Sequence, residues 1–119
     1  MSAHMTTFSE LLEALNATGI PFVAFAWAAP PGDISDAWGV LSIDGGQSLA
    51  GDDSHAEEVL EGTIDLFTRQ LAADDMQAVA GCLKGLDICY SLNSVQYEQD
   101  TRLIHYEWVW QSAAPAKFE

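Results

Sequence analysis

Glu57-Glu58-Val59-Leu60-Glu61-Gly62-Thr63-Ile64-Asp65-Leu66-Phe67-Thr68 is the stretch on which the fold turns. β-Branched and large apolar residues give it strand character. From Gly62 onward, Gly62, Ile64, Leu66 and Thr68 share one parity, and Glu61, Thr63, Asp65 and Phe67 share the other. That alternation predicts a half-buried strand. At about 3.3 Å per residue it runs roughly 35 Å, long for a small domain. Beyond it the apolar period changes from two to 3.6. Asp74 is placed to cap a helix in which Met76, Val79, Ala80 and Leu83 recur at i, i+3, i+4 and i+7. Gly81 inside that pattern costs about 1 kcal/mol relative to Ala, which suggests close packing on the sheet, although a frayed C-terminal turn is the cheaper explanation. Gly85 reads as its C-cap. The unit is a long strand feeding a helix.

Upstream, Thr7-x-x-Glu10 has capping-box spacing, and Phe8, Leu11, Leu12 and Leu15 mark the apolar stripe of a three-turn helix. Gly19 supplies a left-handed stop and Pro21 forbids continuation. Phe22-Val23-Ala24-Phe25-Ala26-Trp27 is apolar on both parities, as in a strand buried on both faces or at an interface. A Pro-Gly loop follows. The next strand is expected over 38–44, ended by Gly45-Gly46. Residues 45–56 show no periodicity and read as a second projecting segment, functional or ordered by a partner. Downstream, strands over 88–98 and 101–111 are joined at Gln99-Asp100 into an antiparallel hairpin, with Ile104, Tyr106, Trp108 and Trp110 on one parity.

The order α-β-β-β-α-β-β predicts an α+β fold, a largely antiparallel sheet with two helices on one face. Residues 6–111 form the domain. Residues 1–5 read as an expression scar before a second start at Met5, and residues 112–119 as a loose tail. No apolar run approaches the roughly 20 residues that span a bilayer, and no signal-peptide pattern opens the sequence, so no membrane is expected as a partner. Cys82 and Cys89 lack companions at ligand spacing and are expected to be reduced core thiols of a cytoplasmic protein.

Charge is the loudest compositional signal: 18 acidic residues against 4 basic ones, a net of −14. Nucleic-acid affinity comes from Lys and Arg on phosphates, so ordinary DNA or RNA binding is excluded as an expectation. Three readings survive: solubility, mimicry of nucleic acid, or a surface that DNA passes without sticking. No phosphate loop, nucleophile elbow or locally supported Cys-His arrangement is present, and no enzyme activity or cofactor is expected. His105, among aromatics on a strand, reads as a structural histidine. Asp52, Asp53, His55 and Glu57 match no calcium-loop spacing, and a solvated acidic loop is the reading preferred over a metal site. Trp27, Trp38, Trp108 and Trp110 suit core or subunit interface, or a ligand pocket.

Leu15-Asn16-Ala17-Thr18-Gly19-Ile20-Pro21, directly after the first helix, resembles the "ALxATGxP" opening of the tail completion, or tail terminator, proteins of tailed phages and prophages. Pro30-Pro31 before a strand with Val40, the loop Leu49-Ala50-Gly51-Asp52-Asp53, Leu66-Phe67-Thr68 before the second helix, and Tyr90, Tyr97 and Tyr106-Glu107 in the closing strands continue the resemblance in the same order. It covers Phe8 to Trp110. The departures are Glu57-Glu58 and a nearly neutral second helix, where the family is often Lys-rich, and Gly51 in place of Ala.

The resemblance implies a structural subunit of a ring, commonly a hexamer, at the head-proximal end of the tail tube. That ring stops tube polymerisation and joins tail to head. Its implied partners are copies of itself, the tail tube protein and the head–tail connector, with DNA passing through unbound. Its implied place is the virion neck, and the host cytoplasm during assembly. Pro30, Pro31, Asp33 and Asp36 in one loop, with Leu49, Asp52, Asp53 and His55 in the other, are the candidate partner contacts. Phe25, Trp27, Trp108 and Trp110 are the candidate apolar subunit interface. A neighbouring neck component, an acidic DNA-mimic inhibitor and a small ligand-binding domain are the alternatives.

Overall fold

Thr7 and Glu10 form the expected capping box. The Thr7 hydroxyl accepts from the Glu10 amide at 3.1 Å, and the Glu10 carboxylate accepts from the Thr7 amide at 2.9 Å. The computed structural model describes residues 6–25, 37–48, 58–69 and 73–112. Its elements follow the expected order: α1 (Phe8–Asn16), β1 (Phe22–Ala24), β2 (Ala37–Ser48), β3 (Glu58–Thr68), α2 (Asp74–Lys84), β4 (Cys89–Glu98) and β5 (Leu103–Ser112). The fold is α+β.

The strands make one sheet in the order β1-β2-β3-β5-β4, so the Glu58–Thr68 strand is its centre. β3 is antiparallel to β2 and β5, and β4 is antiparallel to β5. Among the described strands only β1 runs parallel to its neighbour, with Val23 opposite Val40. Parallel pairing requires a crossover, which explains the long connection between β1 and β2.

The Gly62, Ile64, Leu66, Thr68 parity of β3 is the buried one. Ile64 and Leu66 meet Leu11 and Leu15 from α1, Val79 and Leu83 from α2, Leu41 from β2, and Tyr106, Trp108 and Trp110 from β5 in one cluster. Both helices therefore lie on one face of the sheet. Each fully buried aliphatic side chain in this cluster stabilises the fold by about 1.5–3 kcal/mol. No β4 residue belongs to it.

α1 ends at Asn16, and Gly19 turns the chain at φ +95°. The Asn16 side chain then clamps β1: its Oδ1 accepts from the Phe22 amide at 2.9 Å, and its Nδ2 donates to the Phe22 carbonyl at 3.1 Å. The ring of Phe22 occupies the space where a β-carbon on Gly39 would stand. At the other end of the chain, Ser112 Oγ donates to the Thr6 carbonyl at 3.1 Å, and Thr6 Oγ1 accepts from the Asp87 amide at 3.3 Å.

Several expectations are corrected. β1 is a short edge strand, not one buried on both faces: it ends at Ala24, and Phe25 turns away at φ +53°. Gly45-Gly46 do not end β2, because the ladder shifts register between Ile43 and Gly45 and pairing continues to Ser48 opposite Glu58. The N-cap of α2 is Ala73, not Asp74, and it makes no side-chain cap bond. Asp75 in the first turn instead accepts from Thr68 Oγ1 at 2.7 Å, tying the end of β3 to the helix. Gly81 is not a packing contact: it is exposed, and a β-carbon there would meet nothing within 4 Å. The turn of the final hairpin occupies residues 99–102, longer than Gln99-Asp100. Arg102 stands at φ +59°, and its amide donates to the Glu98 carbonyl at 2.7 Å. Ser112 belongs to β5 and is buried, and residues 113–119 lie outside the described residues. Both cysteines are free, but Cys89 is exposed and so is not a core thiol, while burial pushes the Cys82 thiol up.

Candidate functional site

Among the described residues two surfaces remain once the core is built: the sheet face opposite the helices, and the edge formed by β4. The first consists of the outward parities of β2, β3 and β5. Register sets it in rows: Trp38 beside Phe67 beside His105, then Val40, Asp65 and Glu107, then Ser42, Thr63 and Val109. The first row is a stacked ladder. Ring centroids are 4.5 Å apart for Trp38 and Phe67, and 4.3 Å for Phe67 and His105, with interplanar angles of 19° and 20°.

The second row places Asp65 directly opposite Glu107, an arrangement that like charges disfavour. Each carboxylate turns to a different partner. Asp65 Oδ1 lies 2.7 Å from His105 Nε2, and Glu107 Oε1 accepts from Asn93 Nδ2 at 2.7 Å. The hydrogen bond with Asp65 holds the His105 imidazole above its usual range. Partial burial opposes this, and the charges of Asp65, Glu98 and Glu107 assist it. Glu98 stands 3.9 Å from the other ring nitrogen. Asp44 joins the same field: burial, then Asp65, Glu107 and Glu61, raise its carboxyl. The open face is thus acidic, with the imidazole of His105 hydrogen-bonded to one of its carboxylates. Among the described residues no group of three or more His, Cys, Asp or Glu is placed to hold a metal ion.

The second surface is β4. Tyr90, Leu92, Val95 and Tyr97 are 36%, 45%, 52% and 56% exposed. They pair with Trp110, Trp108, Tyr106 and Ile104 of β5, so they stand on the helix side of the sheet, beyond the cover of the helices. A bulge between Leu92 and Ser94 keeps both halves of the stripe on that side.

Trp108 and Trp110, expected at a subunit interface, lie in the protomer core at 2% exposure each, because α1 and α2 cover their side of β5. The buried indole N–H of Trp110 has no hydrogen-bond partner among the described residues. Phe25 is 43% exposed and stacks on Phe8 at 5.4 Å. Trp27, Pro30, Pro31, Asp33, Asp36, Leu49, Asp52, Asp53 and His55 lie outside the described residues. Trp38 is on the opposite sheet face from Trp108 and Trp110, so these three tryptophans line no common ligand pocket. A groove of about 390 Å³ on the sheet near Cys89, Val109 and Gln111 is open and partly polar. In the sequence a strict period of two splits Tyr90 and Leu92 from Val95 and Tyr97, which hides the stripe as a single face. The phase jump across Asn93-Ser94 is the sequence signal that rejoins the two halves.

No protein-family model matches the chain, and no curated protein matches it. A solved structure does share its architecture. A chain described as "Virion of native gene transfer agent (GTA) particle" superposes with a TM-score of 0.55 over 89% of this chain and 90% of that one, at 16% identity. The likeness is one of fold. It runs almost end to end in both chains.

Proposed function

We propose that this protein is a structural, non-catalytic component of a phage-like virion. Within that role it acts as a tail completion or terminator subunit, ringing the head-proximal end of the tail tube and joining tail to head. The observation that carries the reading is the nearly full-length fold likeness to a chain of a gene transfer agent virion. The ordered motifs from Leu15 to Tyr106 support the narrower assignment. In this reading the acidic face around Asp44, Glu61, Asp65 and Glu107 lines the lumen, where like charge keeps DNA from sticking. A lumen that proved neutral or basic would sink that part of it.

Negative-stain microscopy of concentrated protein, with and without millimolar Mg²⁺, tests the ring. Subunits of net charge −14 repel one another, and divalent cations screen that repulsion. Rings with an open centre are expected, capping purified tail tubes at one end. Compact particles throughout, with tube ends left bare, would overturn the assignment. Competition with DNA for a nucleic-acid enzyme would favour the mimic instead.

A further inference from the structure

The sheet has two edges, and they are not equivalent. β1 offers only residues Phe22–Ala24, and the Asn16 side chain already bonds both the amide and the carbonyl of Phe22. β4 offers the whole of Cys89–Glu98 and, among the described strands, pairs only with β5. Exposed edges are normally protected by charge, proline or cover. Here residues 88–97 contain no charged residue, in a chain that carries 18 acidic ones. A basic partner would gain nothing electrostatically from such an edge. A second copy of this acidic chain, by contrast, requires a place of approach free of carboxylates.

The stripe is also symmetric about its own middle: aromatic, aliphatic, aliphatic, aromatic at 90, 92, 95 and 97. In a regular strand, positions 92 and 95 would face opposite sides. The bulge at Asn93 places them on the same side, and it leaves Asn93 and Ser94 together on the other. A surface that binds itself across a two-fold axis must be self-complementary in this way.

We infer that the free edge of β4 is a homodimer interface. Two copies pair antiparallel about a two-fold axis between Asn93 and Ser94. Tyr90 lies opposite Tyr97 of the second copy, and Leu92 lies opposite its Val95. The paired stripe is about 23 Å long and continues the sheet from one copy into the next. Glu98 falls opposite the uncharged Cys89 of the second copy, at the ends of the ladder. A two-fold contact closes on itself and does not generate a ring, so this surface is separate from any ring contact and stands whether or not the virion reading holds.

Sedimentation velocity over a concentration series, at moderate salt to screen the net charge, reads the association. The wild-type chain is expected to dimerise. Leu92→Glu and Val95→Lys each bury an unpaired charge and are expected to weaken the dimer about a hundredfold. Both sites are about half exposed in the protomer, and circular dichroism should show the fold intact. Mixing the two variants sets the introduced carboxylate of one chain opposite the introduced ammonium of the other. That mixture should restore a heterodimer, and the double variant should dimerise on its own. A wild-type chain that stays monomeric, a dimer indifferent to both substitutions, or a failure of both rescue arms would overturn the inference.

Discussion

His105 and Asp65 reach each other diagonally across the β3–β5 ladder, with Nε2 and Oδ1 at 2.7 Å. Because the folded imidazole holds its proton above the usual value of 6.5, the stability it adds is fully present below that pH. That stability is lost as pH rises through the elevated folded value. Asp65→Asn should bring the His105 titration, followed by NMR, back down. The stability gap between wild type and Asp65→Asn in denaturant melts should be widest near pH 6 and narrow towards pH 9. A gap that widened with pH would contradict the pairing.

Asp44 also makes stability fall as pH rises, but at lower pH and as a cost of ionisation rather than the loss of a bond. Its carboxyl is raised by burial and by Asp65, Glu107 and Glu61, so ionising it opposes folding once pH passes the ordinary value of 3.8. Asp44→Asn should therefore raise the melting temperature at pH 7. The gain should disappear on acidification, and added salt should shrink the part of it that comes from Asp65, Glu107 and Glu61.

Two glycines should respond in opposite directions to the same substitution. A β-carbon at Gly62 would collide with the Ser42 carbonyl oxygen beside the β2 bulge, whereas one at Gly81 would enter open space. Gly62→Ala should cost about 2 kcal/mol or more, or shift the β2–β3 register. Gly81→Ala should stabilise α2 by about 0.5–1 kcal/mol. Equilibrium urea unfolding of both variants checks the pair.

Asn16→Ala removes the clamp on Phe22 and should cost about 1–3 kcal/mol, since it leaves backbone groups of β1 unpaired. Hydrogen exchange localises the effect: the Phe22 amide should lose protection while the Ile64 amide keeps most of its own. Uniform loss across the sheet would mean that Asn16 supports the whole core.

Much of this architecture is legible in the linear sequence. The Thr7 capping box, the Leu11 and Leu15 stripe, the stop at Gly19, the period-two burial of β3 and the Trp108–Trp110 parity of β5 each depend on local spacing, which a linear sequence displays directly. So does the charge of −14, which any reading of partners must accommodate.

What the linear pattern could not carry was pairing between distant segments. Whether β1 lies parallel to β2, whether Gly45-Gly46 end a strand or follow a bulge, and whether Asp65 finds His105 depend on which strands become neighbours and in what register. The same is true of the tryptophans: apolar parity marks them as buried, but only the placement of α1 and α2 decides that Trp108 and Trp110 are covered within the protomer. Those helices stop short of β4, so Tyr90, Leu92, Val95 and Tyr97, equally apolar in sequence, are left in water. Local composition and spacing determined the elements and the net charge. The tertiary structure decided which apolar faces were already occupied, because burial is a property of neighbours and not of residues.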